Sequence, residues 1–188
     1  MSRPFRSVLL TITLATAGLL IGSQSALAQS VGIEGGPTFN SLKEAHTDFK
    51  NNTGWEGGLF LGGGGPVSGM LKILYVKKGA EGVDLRYIEV PELLRINFGS
   101  SKAGGVFIQG GTVTNFLIQA KANGVDVKDN FETFDFGVQA GAGIKVSRII
   151  VEGAYNWGLK AINTHSGSLG VEDIKTRSFA LLFGIALN

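Results

Sequence analysis

The chain has no cysteine among its 188 residues, which removes disulfide staples, thiolate nucleophiles and cysteine–zinc sites from consideration. Histidine is nearly absent as well, with His46 and His165 the two present. There is no HxxxH pair and no DxDxDG calcium loop, and the glycines at Gly62–Gly65 precede a strand pattern, with no helix N-terminus to cradle phosphate. No cofactor or metal is implied. Past residue 28, no apolar run reaches the roughly 17–25 residues that a membrane-spanning helix needs. Basic charge is not in excess either. The formal charge of +2 comes from 17 basic and 15 acidic residues, and Arg3 and Arg6 are the only charges in the first 28. The remainder carries 15 of each sign, so nothing attracts it to nucleic acid.

Those first 28 residues read as a secretory signal peptide. Arg3 and Arg6 supply the basic start, Val8–Ile21 the apolar run and Ala26-Leu27-Ala28 the small-x-small pattern, so cleavage is expected between Ala28 and Gln29. An exported chain without disulfides must close its fold by other means. If it enters a membrane without a spanning helix, it does so as a closed barrel, the strand architecture that leaves no backbone group unsatisfied in lipid.

Glycine is abundant, at 29 residues, and proline scarce, at four, yet the sequence is too apolar for a disordered segment. What fills it is alternation. In Arg86–Phe98 one parity gives Ile88, Val90, Leu94, Ile96 and Phe98, and the other Tyr87, Glu89, Pro91, Leu93, Arg95 and Asn97. That is the period-2 signature of a strand. Seven more such segments lie at about Ser30–Phe39, Gly54–Gly63, Ser68–Lys77, Gly105–Gln119, Phe131–Lys145, Ile149–Gly158 and Arg177–Asn188. The fifth, Gly105–Gln119, is ambiguous in facing, since Val106, Ile108 and Phe116 oppose Phe107, Val113 and Leu117. Long loops are expected after the first, third (Lys78–Asp84), fifth (Ala120–Asn130) and seventh (Lys160–Ile174) strands, and tight turns after the others. Strands of about 10–14 residues exceed the usual mode of about 5–6 in soluble sheets and suit a tilted membrane crossing.

A soluble sandwich or a lipocalin-like carrier would turn the apolar parity inward; a membrane barrel turns it out. The polar parity decides for the membrane. It holds one or two charges per strand and many glycines, among them Gly58, Gly62, Gly137, Gly141, Gly143 and Gly184. Glycine weakens a strand facing water, but it suits the cramped lumen of an eight-stranded barrel. The expectation is an all-β, eight-stranded, antiparallel up-and-down transmembrane barrel over residues 29–188. Its enclosed charges, Glu56, Lys72, Glu89, Arg95, Asp135 and Glu152, must be paired, and folding adjacent strands together places Lys72 between Glu56 and Glu89. Trp55, Tyr75, Tyr155 and Trp157, at strand ends on the apolar parity, suit an interfacial girdle. Glu92 falls on the lipid-facing parity, where a bulge near Pro91 or a protein contact would accommodate it.

Several segments resemble the outer-membrane β-barrel domain of small porin-family proteins of Gram-negative bacteria. They are Leu74–Ala80 (LYVKKGA), Tyr87–Leu94 (YIEVPELL), Phe134–Gly137 (FDFG) with Gly141–Gly143 (GAG), and Tyr155–Leu159 (YNWGL). In order, they span essentially residues 30–188. The resemblance implies a bacterial outer-membrane location, contact with outer-membrane lipid and insertion by the barrel assembly machinery. The family often has an acidic residue where Lys72 stands and a basic one where Ala154 stands. It usually ends in an aromatic residue that the assembly machinery reads, whereas this chain ends Leu187-Asn188, with Phe183 and Leu187 as available stand-ins.

The expected role is that of a non-enzymatic, monomeric envelope or surface protein with a side-chain-filled lumen, passing small solutes at most. Two alternatives stay open: a lipid-modifying enzyme using His165 beside Ser166, and a secreted carrier of an apolar ligand.

Overall fold

The computed structural model describes residues 30–43, 52–80, 83–100, 104–128, 133–159 and 175–187. The strands are β1 (Ser30–Lys43), β2 (Asn52–Gly62), β3 (Val67–Ala80), β4 (Val83–Ser100), β5 (Gly104–Ala122), β6 (Val125–Asp126), β7 (Phe134–Val146), β8 (Ile149–Gly158) and β9 (Lys175–Ala186). Each long strand pairs antiparallel with the next in sequence, and β9 pairs back onto β1 through Gly32↔Ala186 to Lys43↔Lys175. The β4–β5 ladder, from Val83↔Ala122 to Ser100↔Gly104, is continuous around the same ring. Eight long strands therefore close an up-and-down barrel with no free edge.

The two-residue β6 is a detail of one connection. Asn123 and Gly124 both have positive φ, 49° and 85°, which is the two-residue hairpin geometry that Asn-Gly favours. It sets Lys121 opposite Asp126 and Ala122 opposite Val125. The stretch expected to be a polar loop from Ala120 thus begins as a hairpin. The expected loop Lys78–Asp84 fares likewise: β3 runs to Ala80 and β4 starts at Val83, paired at Ala80↔Val83. The alternation of long and short connections fails there, because the period-2 pattern of the third strand continues through Lys78 into residues read as loop. β4 and β5, at 18 and 19 residues, are longer than the roughly 9–11 that a tilted crossing requires.

Parity decides what each strand encloses. Along β4, Leu85, Tyr87, Glu89, Pro91, Leu93 and Arg95 are buried, while Leu94, Ile96 and Phe98 are exposed. The same alternation runs through β7, β8 and β9. On β5 the inward set is Phe107, Gln109, Val113, Asn115 and Leu117. Its facing was illegible because its lumen residues are themselves largely apolar. A bulge opposite Arg86/Tyr87 then inserts Ile118, which is exposed, and turns Ala120 inward. This bulge lies towards the start of β4, not at the mid-strand position suggested near Pro91. At Pro91 itself the β3–β4 register is unbroken, Leu71↔Glu92 and Leu74↔Glu89, with the two intervening positions of the ladder unpaired, as suits a residue with no N–H to give.

The lumen is filled. At the turn end Phe60, Met70, Leu93, Phe107, Ile150 and Ala186 pack into one apolar plug. Glycine makes room for it: a Cβ on Gly32 would lie 2.3 Å from Phe60 Cζ, and one on Gly143 2.4 Å from Phe107 Cζ. At the opposite end Leu85, Tyr87, Leu117 and Ala120 form a second cluster with Val127 packed against it. Between the two lies a polar layer.

Candidate functional site: the charged layer of the lumen

Glu56, Lys72, Glu89, Arg95, Asp135 and Glu152 all sit inside the barrel, each 4% exposed or less. Ions enclosed in this way must find partners, because desolvation alone is prohibitive. Lys72, on β3, reaches across the lumen. Its Nζ lies 2.8 Å from Glu34 Oε1 on β1 and 2.8 Å from Glu152 Oε1 on β8. Arg95 Nη2 sits 3.2 Å from Glu152 Oε2, and Arg95 Nε and Nη2 both donate to Gln109 Oε1, at 2.9 and 2.6 Å. Gln109 Nε2 donates in turn to Glu152 Oε1 at 2.6 Å. The guanidinium lies 3.8 Å from the centre of the Phe107 ring, so the charged layer rests directly on the turn-end plug.

The pairing expected for Lys72 is therefore corrected. Its barrel neighbours on β2 and β4 are not Glu56 and Glu89: Lys72 faces Phe60, Glu56 faces Val76 and Glu89 faces Leu74. Glu89 is bound instead by Lys78 Nζ, which also stands 5.7 Å from the centre of the Tyr87 ring. Asp135 accepts from Asn115 Nδ2 at 3.4 Å and from the Phe136 N–H at 2.8 Å. Both carboxylate oxygens of Glu56 are buried and unpartnered.

Three members of the layer were missed. Lys78 falls in the expected loop Lys78–Asp84, although it shares the parity of Lys72, Leu74 and Val76; the same alternation carried two residues further turns it inward. Glu34 lies on the inward parity of β1, but nothing local in the sequence names its partner. Gln109 was hidden by the mixed facing of its strand. The four aromatics expected at an interface all lie near the loop ends of their strands. Trp55 and Trp157 are exposed and Tyr75 and Tyr155 half-buried, with ring pairs Trp55–Tyr75 at 5.3 Å and Tyr155–Trp157 at 4.4 Å between centroids. Phe39–Phe179 and Phe116–Phe134 add two more pairs at that end. Glu92 is half-buried on the outer face, opposite Leu71 and Thr112. Ala28, Gln29, His46, His165 and Ser166 lie outside the described residues.

The outer surface is apolar: Ile33, Leu59, Ile73, Leu94, Ile108, Ile144, Phe183 and Ile185 are all about half exposed, at 49–57%. A soluble carrier with its apolar parity inward is excluded by that face. Residues 76–163 match the family model described as the outer membrane protein beta-barrel domain. Those residues carry an outer-membrane β-barrel domain. Among solved structures, the outer-membrane barrel is similar to neisserial surface protein A, with a TM-score of 0.54 at 12% identity over 84% of this chain and 98% of that one. It is also similar to Ail, the attachment invasion locus protein of Yersinia pestis, with a TM-score of 0.50 at 12% identity over 86% of this chain and all (100%) of that one. At such identities it is the fold that is shared. No curated protein matches the sequence.

The barrel resides in the bacterial outer membrane, and its half-exposed aliphatic band faces hydrocarbon there. The enclosed charges are screened from lipid by a complete ring of strands. Among the described residues, no group of three carboxylate, imidazole or thiol side chains converges to hold a metal ion.

Proposed function

We propose that this outer-membrane barrel is a non-enzymatic envelope protein whose loops meet the exterior while its lumen serves as a rigid, ion-paired strut. The observation that carries the reading is the double closure of the lumen. Phe60, Met70, Leu93, Phe107 and Ile150 fill the turn end, and Leu85, Tyr87 and Leu117 line the loop end. Between them the Lys72–Glu34–Glu152–Arg95 chain ties β1, β3, β4 and β8 together. A small barrel filled by side chains leaves no aqueous channel. The loop-end aromatics are proposed to anchor at the outer interface, with lipid as the immediate partner, the assembly machinery engaged during insertion, and a monomer as the working unit.

The test is conductance. Purified protein inserted in planar bilayers is expected to give no steady porin-sized currents, and the barrel is expected to migrate on a gel as a compact band that shifts on boiling. Large, stable single-channel steps at low voltage would refute the filled-lumen reading.

A further inference from the structure

The charged layer divides into two halves of different balance. In the half against the turn-end plug, Lys72 and Arg95 meet Glu34 and Glu152, two cations to two carboxylates. In the half nearer the loops, Lys78 is bound to Glu89, and Glu56 and Asp135 also lie within its electrostatic reach. One cation there faces three carboxylates. Asp135 is held by two N–H donors. Glu56 has none: it is 2% exposed and both its oxygens are unpartnered, as is Oε2 of Glu89. Glu56 faces Val76 and Glu89 faces Leu74 from the two sides of β3, which sets the two inward carboxylates at neighbouring levels of the lumen. Neutral acceptors add to the surplus. Thr38 and Asn40 on β1 stand opposite Gly54 and Asn52, where a Cβ on Gly54 would lie 2.7 Å from Thr38 Oγ1. Asn40 Oδ1 and Asn115 Oδ1 are buried without a donor.

We infer that the loop-side half of the lumen binds one small monovalent cation, held by the Glu56 carboxylate and Glu89 Oε2 with neutral side-chain oxygens completing its shell. Water offers donors but no charge, whereas a bound cation offsets part of the excess of carboxylates; without one, a buried carboxylate takes up a proton, so ion and proton compete for Glu56. Calcium takes about 6–8 oxygen ligands and magnesium keeps several waters, neither of which suits a closed lumen where no three acidic or imidazole groups converge among the described residues. An alkali ion coordinated by the oxygens of these two carboxylates and of neutral side chains fits this donor set.

The experiment is thermal unfolding of the refolded barrel in a zwitterionic detergent, with sodium chloride replaced stepwise by choline chloride at constant ionic strength. Wild type is expected to gain melting temperature with sodium, little below half-saturation and by roughly 4 °C per tenfold concentration above it. Glu56→Gln, which keeps the shape and removes the charge, is expected to lose that response. Equal effects of sodium and choline, no sodium response in wild type, or a response retained in Glu56→Gln would each overturn the assignment. Should Glu56→Gln fail to refold, sodium NMR decides on wild type alone. Line broadening that potassium reverses supports the site, and an unbroadened line overturns it.

Discussion

Replacing Lys72 by methionine separates a lumen-spanning pairing from one between adjacent strands. The ammonium is fully buried and within 2.8 Å of two carboxylates. Removing one partner of a buried ion pair costs about 3–5 kcal/mol, because the other is left charged and unpaired. The two carboxylates are not equally stranded. Glu152 retains Arg95 at 3.2 Å and the amide of Gln109 at 2.6 Å, whereas Lys72 is the one cation in contact with Glu34 among the described residues. Adding Glu34→Gln to Lys72→Met is therefore expected to return about 1–3 kcal/mol, the penalty of a buried group left without its partner. Adding Glu152→Gln instead is expected to lower stability further, since it deprives Arg95 of its carboxylate. The assay is urea unfolding from lipid vesicles, followed by the fluorescence of Trp55 and Trp157, which face outward near the loop end. If Glu56→Gln or Glu89→Gln rescues Lys72→Met as well as Glu34→Gln does, the lysine lies between strand neighbours and the cross-lumen geometry is wrong. A loss below about 1 kcal/mol for Lys72→Met itself would mean the site is wet.

Two further outcomes follow from the same packing. Gly143→Ala places a Cβ 2.4 Å from Phe107 Cζ and 2.5 Å from the Val151 carbonyl, so it is expected to cost about 1–3 kcal/mol by overpacking. Phe107→Leu in the same chain is expected to recover part of that in urea titrations, and no recovery would place the clash in the backbone. Glu92→Leu removes a carboxylate that lies half-buried on the lipid-facing side, so it is expected to raise stability by about 1 kcal/mol; a loss would show that Glu92 has a partner in the membrane.

How much of this could be read from the chain depends on whether the property is local. Facing is local: alternation with a period of two is written in each strand, so Glu89 and Arg95 could be sent inward and Ile96 and Phe98 outward with no knowledge of the neighbours. The exception, β5, had apolar residues on both parities, because its inward Phe107 belongs to a plug and its inward Leu117 to a cap. Strand ends were less legible. Lys78 looked like the start of a loop because two lysines and a glycine follow one another, yet in the barrel that lysine is the buried partner of Glu89. A charged residue beyond the apolar part of a strand signals solvent only when the strand has stopped, and β3 had not.

Partnership is a different kind of property. Reckoning from adjacent strands puts Lys72 beside Glu56 and Glu89, and each of those carboxylates does lie on a strand next to it. In a closed ring of eight, however, a long side chain points at the axis, where residues from strands far apart in sequence converge. The separation of 80 residues between Lys72 and Glu152 is spanned by 2.8 Å because β9 closes on β1 and brings β8 round to face β3. Nothing in the β3 sequence specifies that. It is fixed by the number of strands and the stagger of their pairing, quantities set by the whole ring. The charge surplus around Glu56 is hidden for the same reason. Residues 29–188 carry 15 charges of each sign, and the imbalance exists only once closure has divided three cations and five carboxylates between two levels of one lumen.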